Sequence, residues 1–276
     1  MPKQRTTDIT QLGPKEAENL ERATKHLKAS ALLVGDVELL YMGLTPSLKI
    51  PAGGIDAPDQ LAFSVNITFG QLMMCRMLYT KSVIAAMRMY QADALTHLRR
   101  AIETCAFTVR MNKHRQLCKI WAAAGTDDEK SYAAYRDAFR PKDVYPKQGH
   151  PDFNPLLLIL KDRFDAASKQ IHGSIFGSAN HFHLVPKGTN TATHRNINFF
   201  DMPSDSFPST FFVILSTHMM ILELFGQLFQ PHLTDFDKWK TGYDNTRERV
   251  VRHIQQWQPT ITAWNLARNT KPAKSN

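Results

Sequence analysis

The chain has 276 residues, of which 43% are hydrophobic and 21% charged. That excludes a disordered or low-complexity segment and leaves room for a sizeable core in one large domain. Lys and Arg number 34 against 25 Asp and Glu, a formal charge of +9, so a nucleic-acid partner is admissible on charge without being required by it. The three cysteines, Cys75, Cys105 and Cys118, are odd in number and sit in apolar helical patterns. This argues against a disulfide framework and for buried thiols in a reducing compartment such as the cytoplasm.

Residues 1–13 are polar, lack the apolar run of a signal peptide and read as a disordered tail, as do residues 268–276. Pro14 suits a helix N-terminus. From Lys15 to Tyr41 an amphipathic helix is expected, with Leu20, Ala23, Leu27, Ala31, Val34 and Leu40 on its apolar stripe. Gly43 to Pro58 reads as a loop. From Asp59 a Met- and Leu-rich helix with few charges follows, expected to be buried on more than one side. A turn at Tyr90 to Asp93, with Asp93 as N-cap, would lead into a second arm from Ala94 to about Asn112, giving an antiparallel helix hairpin over residues 60 to 112.

Leu117 to Ala124 and Asp127 to Phe139 read as shorter helices, the second capped by Thr126 or Asp127. Arg140 to Pro155 reads as a loop with four prolines. A helix from Pro155 is expected to end at Gly173. Asn180 to Val185 and Thr193 to Phe200 alternate enough for a small β-hairpin. Phe211 to Phe229 is apolar but carries His218, Glu223 and Gln227, so a buried core helix is favoured over a membrane span. The last helix, Asp235 to Trp257, has Trp239, Tyr243, Val250, Ile254 and Trp257 on one stripe. The expected fold is all-α: a single domain over residues 1–276, about seven helices around the central hairpin.

Three groups of residues could carry chemistry. On the helix after Asp93, Glu103 lies four residues after Arg99 and three after Arg100, so either guanidinium can meet the carboxylate on one face. A structural ion pair is the ordinary reading, and an anion or ligand site the functional one. In the helix from Pro155, Ser168 and His172 are four apart, with Asp165 one turn earlier. This matches a hydrolytic triad in residue types only, since neither a strained Ser nor an oxyanion hole is indicated. A contact from His172 to Glu103 is the simpler expectation.

These stretches, LTHLRRAIETCAFTVRM behind a Met-rich helix and then FDAASKQIHGS, resemble a family of uncharacterised, mostly bacterial, all-helical proteins similar to the HEPN superfamily. In that family an Arg and a Glu four apart recur with a later helix end of the form Ser, three residues, His, Gly or Pro, Ser. The resemblance covers roughly Ile67 to Ser174 and carries over Arg99, Glu103, Ser168, His172 and Ser174, with Arg100 as the alternative register. It implies an interaction or nucleic-acid-associated role in phage defence or stress.

Many HEPN proteins are RNases with an Arg followed by four to six residues and a His. Arg247 and His253 meet that spacing, and the enzymatic alternative is therefore a metal-independent RNase using Arg247 or Arg249 with His253, favoured if that face lines a cleft at a homodimer interface. Six residues separate Arg247 from His253 by about 120° around a helix, whereas Arg249 shares a face with His253. A second alternative is a metal-dependent enzyme on His181, His183 and His194, which a β-hairpin could bring together, although no carboxylate or cysteine accompanies them at a recognisable spacing. No cofactor is called for.

Overall fold

The computed structural model describes residues 12–45, 60–125, 128–171, 182–185, 194–197 and 207–269. These are all-α apart from one pair of short strands. The helices are α1 (Leu12–Leu27), α2 (Leu33–Leu44), α3 (Gln60–Met87), α4 (Gln91–Lys113), α5 (Leu117–Ala123), α6 (Glu129–Ala138), α7 (Pro141–Val144), α8 (Pro155–Ile171), α9 (Phe207–Phe229) and α10 (Phe236–Asn269). The helical segments are thus more numerous than the seven expected, because single helices break and one loop coils. Between α8 and α9, β1 (Phe182–Val185) pairs antiparallel with β2 (His194–Ile197), with His183 opposite Asn196 and Val185 opposite His194.

The expected first helix is two. At Lys28 the backbone turns to φ 50°, and a 3-10 segment over Lys28–Leu32 redirects the chain before α2. Leu20, placed on the apolar stripe by its spacing, is consequently exposed, while Ala23, Leu27, Leu33, Val37 and Leu40 are buried. The break also lets Ser30 turn into the body of the protein, where its Oγ meets α10.

α3 and α4 form the central antiparallel pair. Leu95, Leu98, Ile102, Cys105 and Val109 give α4 a buried stripe, and small residues at Ala101 and Ala106 let the helices approach until Cys75 Sγ lies 3.6 Å from the Ala101 carbonyl. Their turn lies earlier than the sequence suggests. Met89 takes the left-handed conformation at φ 67°, and the Tyr90 and Met89 amides donate to the Ala85 and Ala86 carbonyls at 2.8 and 2.9 Å. This is a Schellman closure with Met where glycine is usual. Tyr90, not Asp93, precedes the helix, and its hydroxyl is anchored by the Glu16 carboxylate at 2.7 Å. α3 is also less enclosed than its composition suggests, for Met74, Met77 and Ile84 stand on an exposed face.

Other boundaries shift for local reasons. Asp128, not Thr126 or Asp127, caps α6, accepting from the Ser131 and Lys130 amides at 3.0 and 3.3 Å. The proline-rich loop contains α7 because Pro141 starts a turn at N1. α10 continues to Asn269 through Pro259.

α3 (from Leu61) and α9 are long and apolar enough to cross a membrane by length and composition. In the fold α9 packs against α2, α3, α4, α8 and α10, with Phe207, Phe211, Ile214, Leu215, Leu222 and Phe225 buried. α10 closes the bundle with Trp239, Tyr243 and Val250 buried and Ile254 and Trp257 partly so, the stripe its spacing predicts. The three cysteines are free and buried.

Candidate functional site at the seam of α4 and α8

α4 and α8 pack against each other. Periodicity puts Arg99 and Glu103 on the α8-facing side of α4 and Phe164 and Ser168 on the α4-facing side of α8. The Arg99 guanidinium lies over the Phe164 ring, 4.8 Å from its centroid, which offers it a π face. Arg100 is exposed, so the register that turns an arginine to α8 is that of Arg99. Among the described residues no ion pair within 4 Å joins Glu103 to Arg99 or Arg100. The expected pairing with Glu103 is therefore not formed, and the Phe164 ring lies under the Arg99 guanidinium instead of the Glu103 carboxylate.

The floor of the seam comes from a segment read as loop. α7 ends at Tyr145, whose ring lies 6.4 Å from Phe164. Burial, and next the Glu103 carboxylate, push the Tyr145 phenol well above its ordinary range. The same two causes raise Tyr135. Tyr145 Oη is sealed from solvent without a hydrogen-bond partner among the described residues, and so is Ser168 Oγ. On the outer edge of α8, Lys161 pairs with Asp165 at 2.5 Å, which accounts for Asp165 without a triad. His172 and Ser174 lie outside the described residues, and so does the expected contact between His172 and Glu103.

An unpartnered buried hydroxyl costs about 1 to 3 kcal/mol. Tyr145→Phe is therefore expected to raise the thermal midpoint of the unliganded protein, in contrast to most core substitutions. A lowered midpoint would mean that the hydroxyl has a stabilising partner within the protein. No sequence pattern singles out Tyr145, because a lone tyrosine between prolines reads as punctuation.

The second group separates. His253 Nδ1 is 2.8 Å from Ser30 Oγ, which also accepts from Trp257 Nε1 at 3.2 Å. The His253 pKa is lowered by burial and then by Arg249 and Arg252. Arg249 Nη2 reaches Asp36 Oδ2 at 2.8 Å. Both residues thus join α10 to the 3-10 segment and α2. Arg247 points elsewhere, into an open depression of about 580 Å³ lined with Asp244, Glu248, Val251, Arg252 and Gln255. Arg247 and His253 do not converge.

For the third group, β1 and β2 give a backbone register, while the side chains of His181, His183 and His194 lie outside the described residues. Among the described residues, no group of three His, Cys, Asp or Glu is placed to hold a metal ion. Comparison with family models, curated proteins and solved structures returns no match.

Proposed function

We propose that this chain is a cytoplasmic nucleic-acid-binding protein of the HEPN-like kind, with a role in defence or stress, that acts by binding at the seam of α4 and α8. The observation that carries the reading is the Arg99 guanidinium placed over the Phe164 ring, 4.8 Å from its centroid. Guanidinium planes suit stacking on unpaired bases and contact with phosphate, while hydroxyl and carboxylate groups suit the polar edges of bases. The excess of nine positive charges favours a polyanion.

A fluorescent single-stranded RNA is expected to bind, with affinity falling linearly in the logarithm of salt concentration. Arg99→Ala should weaken binding about tenfold. Absent binding, or binding indifferent to salt and to Arg99, would reject the proposal. The RNase alternative has less support, because Arg249 and His253 are already used in holding α10 to the N-terminal helices.

A further inference from the structure

Arg163, on the face of α8 that meets α9, stands apart from the other arginines. Its Nη1 lies 2.6 Å from Ser216 Oγ, 2.6 Å from Thr217 Oγ1 and 3.1 Å from the Val213 carbonyl oxygen. Neither hydroxyl is free to donate elsewhere. Ser216 gives its proton to the Phe212 carbonyl at 2.7 Å and Thr217 gives its own to the Val213 carbonyl at 2.6 Å. Their lone pairs therefore point at the guanidinium and fix one of its three nitrogens against α9.

The other two nitrogens are differently placed. Nε and Nη2 make no hydrogen bond to the described residues, and neither is among the polar atoms sealed from solvent. Among the described residues no carboxylate lies within 4 Å of Arg163; the nearest ion pair on its helix, Lys161 with Asp165, is self-contained. Partial burial disfavours its charge and lowers its pKa, yet a guanidinium stays protonated. The fold thus holds a charged, partly desolvated guanidinium in place, with neutral oxygens at Nη1 and an Nε and Nη2 edge that is not fully sealed and makes no hydrogen bond to the described residues. That edge presents two parallel N–H groups, the geometry that receives a carboxylate or phosphate bidentately. An arginine serving only to tie α8 to α9 would need no such edge beside an uncompensated charge.

We infer that Arg163, anchored by Ser216 and Thr217, is a binding site for a bidentate oxyanion at the seam of α8 and α9. The shared chemistry is two oxygens on one centre, carried by a carboxylate or by a phosphate group. The site is independent of the one proposed for nucleic acid and stands or falls without it.

The test is a titration of the full chain, at constant ionic strength set with chloride, with inorganic phosphate in one arm and acetate in the other. The readout is the Nε–H resonance of Arg163 in a nitrogen–proton correlation spectrum, assigned by its loss in Arg163→Lys. Saturable movement of that resonance is expected in at least one arm, and the responding arm identifies the oxyanion. Ser216→Ala, which keeps the guanidinium and the charge, should weaken the response severalfold by loosening the anchor, with folding checked by circular dichroism. No saturable movement in either arm, or movement shared equally by the exposed arginines, would overturn the inference. So would an undiminished response in a folded Ser216→Ala.

Discussion

Gly226→Ala is expected to destabilise the bundle by about 1 to 3 kcal/mol, the usual cost of forcing a methyl group into a filled core. The readout is a lowered midpoint of denaturant unfolding with an unchanged slope. A Cβ at Gly226 would lie 2.4 Å from both Cη2 and Cζ3 of Trp239, far inside van der Waals contact. The indole has little room to withdraw. Its Nε1 donates to the Leu40 carbonyl at 3.1 Å, its ring stacks on Tyr243 with centroids 5.4 Å apart, and its Cδ1 would be 3.3 Å from a Cβ at Gly43. Gly35→Ala is the control, since a Cβ there meets nothing within 4 Å. In a helix that change should be neutral or stabilising by up to about 1 kcal/mol. Equal midpoints for the two variants would show that α9 and α10 do not meet through this glycine.

The protein is also expected to lose several kcal/mol of stability as pH falls from about 6.5 towards 3, with much of the slope due to one residue. His218 is 0% exposed, and burial depresses its pKa to about 3. Its Nδ1 is 2.7 Å from the Tyr41 hydroxyl, and Nε2 is sealed without a partner among the described residues. Unfolded, the imidazole takes up a proton near pH 6.5; folded, it stays neutral until about pH 3. Between those values the unfolded state binds more protons, and stability falls by about 1.4 kcal/mol per pH unit on account of this residue. Above 6.5 both states are neutral and the contribution is constant. His253, lowered in the same direction, adds to the slope. His218→Gln, which can still pair with Tyr41 but does not titrate, should flatten the profile of unfolding midpoints between pH 7 and 4. Parallel profiles for the two proteins would refute the assignment.

Much of the architecture is legible in the residues because burial imposes periodicity. The stripe from Trp239 to Trp257 and the apolar run ending at Phe229 both become core, and His218 within that run becomes a buried neutral group. What is not legible depends on tertiary support. Lys28 and Met89 hold left-handed backbone that their residue types do not favour, and contacts around them, such as Tyr90 with Glu16, sustain it. Helix spacing left Arg99 and Arg100 as equal candidates to pair with Glu103, whereas the Arg99 guanidinium lies over an aromatic ring from α8. Spacing along one helix cannot reveal what the opposite helix presents. The same limit hid Arg163, whose partners Ser216 and Thr217 lie more than 50 residues away.

The close of the bundle also bears on how the chain folds. Ser30 meets Trp257 across 227 residues, Leu40 meets Trp239 across 199, and Tyr41 meets His218 across 177. Contacts of such separation must wait for nearly all of the chain, and they slow folding because loop closure is paid for before packing repays it. During synthesis α1 and α2 leave the ribosome with their apolar faces uncovered, gain part of their cover from α3 and α9, and have it completed only when α10 follows. A chain halted before Trp239 would present those faces to chaperones and proteases.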